Sequence, residues 1–273
     1  MLTSPLTIKP LTTAIGAEIL DIDLSRPPDD DTYALIRRTF NERGVVFFRD
    51  QHLDAERFAA FGRRFGPLTV SKVAKPLEGS NDLGLIYKEA GAERNYGNQW
   101  HTDQAPRAIP VMGTMLICRK APSVGGDTMF ASMAAAFDAL SDGMKQTLRQ
   151  LRGLHSNVNA GRHPETRAKL GLGGGEESYH PVVGRHPETG REVLYVSLHY
   201  TVRFEGWTHA ESEPLLRYLV EHATKPEFQC RFRWAEGSIA FWDNRQCMHY
   251  AVDDYPGGER VHHRLLVEGP FLQ

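Results

Sequence analysis

Hydrophobic positions follow two regimes along this chain, helical spacing near the start and short strand-length runs beyond about residue 100. Tyr33, Ile36 and Phe40 recur at helical spacing behind Asp29, Asp30 and Asp31, acidic residues that favour the positive end of a helix dipole. Gly44 ends that helix, and the unbroken apolar run from Val45 through Val46 and Phe47 to Phe48 predicts a buried strand. Asp54 is a cap for a second helix with Phe58, Phe61 and Phe65 on one face, stopped by Gly66 and Pro67. Short strands are predicted at 111–119, 127–130, 193–197, 230–234, 238–242 and 264–267. Two helical stretches interrupt them: 132–151, broken near Ser141, Asp142 and Gly143, and one opened by Thr208 and Glu211 at capping-box spacing. Leu215, Leu216, Leu219 and His222 continue the apolar face of the second. Strands that do not alternate regularly with helices predict a mainly β fold with added helices, an antiparallel sandwich or barrel rather than a doubly wound sheet.

The length of 273 residues allows one or two domains, and 41% hydrophobic with 24% charged residues is an ordinary globular balance. The Gly-rich run at 171–175 reads as a loop inside a domain. Lys plus Arg number 32 against 34 Asp plus Glu, a net charge of -2, so no cationic field exists to hold a polyanion and nucleic acid is not an expected partner. The chain has neither a G-x-G-x-x-G nor a Walker loop to cradle a nucleotide phosphate. Cys118, Cys230 and Cys247 are odd in number and far apart, which fits a reducing compartment. With no signal-like start and no apolar run near the roughly 18 residues of a membrane span, a cytoplasmic protein without a membrane partner is expected.

Twelve histidines invite a metal hypothesis. A histidine stands two residues before an acid at His52/Asp54, His101/Asp103, His163/Glu165, His186/Glu188 and His209/Glu211. Helix starts explain the first and last pairs, and His-Pro-Glu turns explain His163 and His186. His101 and Asp103 differ: they follow Trp100 near a long strand, where period-two geometry turns i and i+2 to one face. His249 is the candidate third ligand. Two imidazoles and a carboxylate leave adjacent positions open on an octahedral ion, which suits non-haem Fe(II). From spacing alone, hydrogen-bonded core residues are the favoured reading of His101 and His249. Arg260, Arg264 and Thr128 add to the metal reading, because a guanidinium fork and a hydroxyl can clamp a dicarboxylate co-substrate. Either arginine could instead pair with a surface carboxylate.

With these residues in view the chain resembles the taurine dioxygenase family of Fe(II)- and 2-oxoglutarate-dependent oxygenases, which includes aryloxyalkanoate and alkylsulfate dioxygenases. The resemblance runs nearly end to end: Gly16 to Ile19, Phe61 to Gly66, Trp100 to Asp103, Pro122 to Thr128, Lys225 to Phe228, Trp242 to Arg245, and His249 to Arg264. It implies a double-stranded β-helix (jelly roll) core in a single dioxygenase domain over 1–273, with a helical insert at roughly 132–225. His101, Asp103 and His249 would bind iron, and Thr128 and Arg260 the distal carboxylate of 2-oxoglutarate. Arg264 would face the substrate's anionic group or the iron-proximal end of 2-oxoglutarate, and which arginine meets which carboxylate stays open. The implied reaction consumes O2 and 2-oxoglutarate, releases succinate and CO2, and hydroxylates a substrate C–H bond, in many members yielding a product that fragments. Retention of Asp103 disfavours halogenation. Taurine-cleaving members have a histidine and an asparagine where this chain has Ser71 and Gly97, which points away from taurine and toward another small organic anion: an aryloxyalkanoate-like carboxylate, a sulfonate or a sulfate ester. Ser71, Tyr96, Asn98, His199 and Tyr200 are the candidate substrate-pocket residues. A homo-oligomer, dimer or tetramer, is expected by the same resemblance. A metal-dependent hydrolase and a non-catalytic jelly-roll binding protein are the alternatives.

Overall fold

The computed structural model describes residues 6–70, 75–92, 97–158 and 175–273. After the hairpin of β1 (Thr7–Pro10) and β2 (Ala17–Leu20), Asp29 caps α1 (Asp30–Arg43), its carboxylate accepting the Thr32 N–H at 2.8 Å. Gly44, at φ 73°, closes that helix by donating to the Phe40 carbonyl. β3 (Val45–Phe48) follows and is buried at every position, as its apolar run requires. Asp54 caps α2 (Ala55–Arg63). The helix ends at Arg63, so Phe65 lies beyond it, yet its ring still packs on Phe61 at 5.3 Å.

Short strands β4 (Leu68–Thr69), β5 (Lys75–Pro76) and β6 (Gly84–Lys88) lead to the long strand β7 (Gly113–Lys120) and to β8 (Thr128–Ser132). The helical stretch expected over 132–151 divides into α3 (Met133–Asp138) and α4 (Asp142–Leu148), because Ser132 and Ser141 each supply a separate N-cap. The rest of the expected helical insert is not purely helical. It holds β9 (Arg152–Ser156), β10 (Glu177–Pro181), β11 (Val183–Arg185), β12 (Glu192–Leu194) and β13 (Thr201–Phe204) as well as α5 (His209–Ala223). These runs are three to five residues long and carry Tyr179, Val183, Val193 and Val202, so strand wins over helix. Thr208 and Glu211 form the capping box of α5.

The chain closes with β14 (Gln229–Phe232), β15 (Ile239–Asp243), β16 (Cys247–Ala251) and β17 (Arg260–Val267), the last four residues longer at its start than its apolar run predicts. Among the described residues, the larger sheet runs β1-β2-β3-β15-β7-β17-β6-β5 with β4 also on β17, and a smaller sheet runs β14-β8-β16. Their inner faces meet through Phe47 of the larger sheet, which stacks on Phe232 at 4.1 Å and packs edge-on against Phe130 at 5.6 Å. The architecture is thus mainly β, a jelly-roll sandwich with helices outside it.

Buried polar groups are compensated at one corner of this sandwich. Asp243 accepts from Arg245 Nε at 2.8 Å and Nη2 at 2.7 Å and from His186 Nε2 at 2.9 Å. The turn expected at His186 is present, closed by the Gly190 N–H, and its imidazole serves this buried network. Among the described residues no helix is long and apolar enough to cross a membrane.

His155 on β9 is buried against Tyr195 and His180, each at a ring distance of 5.2 Å, and burial pushes its pKa down to about 3. The unfolded chain therefore binds the extra proton between about pH 6.5 and 3, and stability falls as pH drops through that window. Replacing His155 with Phe should flatten the pH dependence of urea-denaturation stability by up to about 1.4 kcal/mol per pH unit below 6.5. Parallel profiles for parent and variant would contradict this account.

Candidate active site

Two chain segments 148 positions apart are stitched together by one reciprocal backbone pair. The His101 N–H donates to the His249 carbonyl at 3.1 Å, and the His249 N–H returns to the His101 carbonyl at 2.9 Å. Opposed residues of an antiparallel pair project to the same side, so the two imidazoles lie 4.2 Å apart. Asp103 joins them two residues on: one carboxylate oxygen is 4.0 Å from His101 Nε2, the other 3.8 Å from His249 Nε2. One ligand atom from each of the three residues lies within 4.8 Å of the others, and all three side chains are buried.

The hydrogen bonds around these groups set their protonation. His101 Nδ1 donates to the Gln99 carbonyl at 2.6 Å, which orients the ring with Nε2 toward Asp103. Burial, reinforced by the adjacent His101, pushes His249 well below the ordinary histidine range and keeps it neutral. Burial alone would raise the Asp103 pKa. Arg264, then His249 and His101, and the Thr114 hydroxyl outweigh it and hold the carboxyl at about 2. Arg264 Nη2 donates to Asp103 Oδ1 at 2.8 Å and Thr114 Oγ1 to Oδ2 at 2.7 Å. Asn244 accepts the Asp103 N–H and donates to Thr114, and Trp242 Nε1 donates to Asn244 in turn. Two imidazoles and an ionised carboxylate converging on one point fit a divalent iron.

The co-substrate candidates face this centre from both sheets. Thr128 is on β8 and Arg260 on β17, and Arg260 Nη2 donates to the Thr128 hydroxyl at 3.3 Å across the sandwich. Along β17, Arg260, His262 and Arg264 are buried while Val261 and His263 are only partly so, the period-two signature of one inward face. The buried Nε atoms of Arg260 and Arg264 have no hydrogen-bond partner. Unpaired guanidinium donors inside a protein call for an anion. Between them lies a cleft with apolar walls from Ile86, Leu116, Trp242 and Ala251.

His199 and Tyr200 stand beside the centre, with ring distances of 5.5 and 6.3 Å to His101, and His199 Nδ1 hydrogen-bonds Gln99 Oε1 at 2.6 Å. Asn98 is half-buried, three residues before His101. Ser71 and Tyr96 lie outside the described residues. Gly97, at φ 86°, lines the cleft: a Cβ there would come to 3.4 Å from His101 Cε1 and 3.8 Å from Ala251 Cβ. Glycine therefore keeps the space beside that imidazole open. Sequence reasoning missed Gln99, Thr114 and Asn244. Asn244 belongs to the Trp242 to Arg245 motif, whereas Thr114 reads as one more β-branched strand residue and carries no signal of its own.

The family model described as taurine catabolism dioxygenase TauD, TfdA family matches residues 7–266. An alkylsulfatase of Acinetobacter baylyi is 34% identical over 281 residues, covering 98% of this chain and 86% of that protein. The (S)-phenoxypropionate/alpha-ketoglutarate-dioxygenase of Sphingobium herbicidovorans is 34% identical over 264 residues, covering 90% of this chain and 88% of its own. A crystal structure of a taurine dioxygenase from Burkholderia xenovorans superposes with a TM-score of 0.85 at 35% identity, covering 98% of this chain and 93% of that one.

Thr114→Val keeps the shape of the side chain while removing a donor to Asp103 and an acceptor for Asn244. It should lower the denaturation stability of the metal-free protein by about 2–3 kcal/mol, and Thr114→Ser should restore most of the loss. A Val variant as stable as the parent would remove Thr114 from the support of Asp103.

Proposed function

We propose residue roles and a substrate class for this chain, which belongs to the taurine catabolism dioxygenase TauD, TfdA family and is an Fe(II)- and 2-oxoglutarate-dependent dioxygenase. Fe(II), 2-oxoglutarate and O2 are its cofactor and co-substrates, with succinate and CO2 released. Bound Fe(II) supplies the redox chemistry that couples consumption of O2 and 2-oxoglutarate to oxidation of a substrate C–H bond. The convergence of His101, Asp103 and His249 beside two arginines carries the reading. His101 and His249 offer ring nitrogens, and Asp103 an anionic oxygen kept ionised by Arg264.

Arg260 and Thr128 clamp the distal carboxylate of 2-oxoglutarate. Arg264 spends one nitrogen on Asp103 and has its Nε left for the anionic end of the substrate or for the iron-proximal end of 2-oxoglutarate. Asn98, His199 and Tyr200 line the substrate side, with Ser71 and Tyr96 assigned there from sequence. The substrate is a small organic anion other than taurine, an aryloxyalkanoate-like carboxylate, a sulfonate or a sulfate ester. Apolar cleft walls and the open space kept by Gly97 support that class. Where hydroxylation falls beside a heteroatom, the product fragments. The whole chain acts as one catalytic domain, as a dimer or tetramer in the cytoplasm. Three buried free thiols fit such a reducing compartment.

A panel of such anions assayed with Fe(II), 2-oxoglutarate and O2 should release succinate in step with substrate loss. Turnover that proceeds anaerobically with zinc would favour the hydrolase. Asp103→Ala should abolish iron-dependent turnover, and retained activity would place the metal elsewhere. Arg260→Ala should raise the 2-oxoglutarate requirement by about tenfold to a hundredfold, from a charge-assisted hydrogen bond of about 1.5–3 kcal/mol. Arg264→Ala should impair substrate use instead. Unchanged kinetics in both variants would refute these roles.

A further inference from the structure

Thr128 has its acceptor positions filled by the protein itself. The hydroxyl oxygen accepts the Trp234 Nε1–H at 2.9 Å and an Arg260 Nη2–H at 3.3 Å. A hydroxyl has two lone pairs and one proton, and indole and guanidinium nitrogens only donate. Neither neighbour can take the Thr128 proton. The side chain lines the cleft, so the proton is left for whatever anion enters.

The indole that imposes this polarity is itself fixed. Trp234 is buried, with Phe232 edge-on at 5.0 Å and the Arg260 guanidinium 5.8 Å over its ring. His262 meets it edge-on at 4.5 Å from the inward face of β17, between Arg260 and Arg264. The imidazole is fully buried with neither nitrogen hydrogen-bonded, so it acts here as an aromatic wall for the indole.

We propose that Trp234 is a positioning residue for the co-substrate: by donating to Thr128 Oγ1 it obliges that hydroxyl to donate toward the distal carboxylate of 2-oxoglutarate. The inference rests on the Thr128 and Arg260 clamp described above. Accepting from an indole and a guanidinium polarises the O–H bond and makes it a stronger donor. Without the indole N–H, one lone pair is freed. The hydroxyl could then rotate and present oxygen to oxygen, an arrangement that repels a carboxylate.

The test compares 2-oxoglutarate with 2-oxovalerate, which keeps five carbons and the 2-oxo acid end but has a methyl in place of the distal carboxylate. Binding is measured anaerobically by calorimetry on the Fe(II)-loaded protein for the parent, Trp234→Phe, Thr128→Val and the double variant. Trp234→Phe should weaken 2-oxoglutarate about fivefold to tenfold and leave 2-oxovalerate within about twofold. Adding it to Thr128→Val should weaken 2-oxoglutarate no further. If Thr128→Val weakens 2-oxoglutarate and Trp234→Phe does not, the clamp stands and the positioning role falls. Equal weakening of both ligands by Trp234→Phe would reduce the indole to a structural part and also overturn the role. If neither single variant affects 2-oxoglutarate, the clamp assignment fails and this inference falls with it.

Discussion

A carboxylate taken out of water must be compensated or it takes up a proton, and the candidate active site is organised around that constraint at Asp103. Burial is the largest influence on this group and acts against its charge. Arg264 on β17 and Thr114 on β7 reverse the balance, and Asn244 holds both the backbone of Asp103 and the side chain of Thr114. The result is an ionised oxygen donor beside two imidazoles, a set that a divalent metal completes.

That constraint ties chemistry to fold. Asp103 lies on a connection between β6 and β7, but its compensating groups come from the larger sheet, while His249 and Thr128 come from the smaller one. The site therefore exists only when the two inner faces are apposed, which Phe47, Phe130 and Phe232 enforce. The same apposition brings Arg260 to Thr128. The sandwich core and the Thr128–Arg260 contact are in this sense one packing arrangement.

Much of this was legible in the sequence, for local physical reasons. Capping residues Asp29, Asp54 and Thr208 marked three helix starts, and the burial of Val45–Phe48 followed from its unbroken apolar run. The candidate metal residues His101, Asp103 and His249 could be named because turns and caps explained the competing histidines. The strands between residues 152 and 204 were hidden, since runs of three to five residues carry too little periodicity. β17 was foreseen only from Arg264 because His262, His263 and two arginines look polar, although Arg260, His262 and Arg264 all face inward. Thr114 and Gln99 were invisible for another reason. One acts through a hydroxyl on an ordinary strand and the other through its backbone carbonyl and an amide, and neither role leaves a mark in residue type.

Arg264 and the two imidazoles share one carboxylate, and a divalent ion would take its place among them. Crystals grown anaerobically with Mn(II), a redox-silent stand-in for Fe(II), would test this most directly through anomalous scattering at the metal. The account predicts one strong peak within coordination distance of His101 Nε2, Asp103 and His249 Nε2. A peak elsewhere, or none at this position at full metal loading, would contradict it.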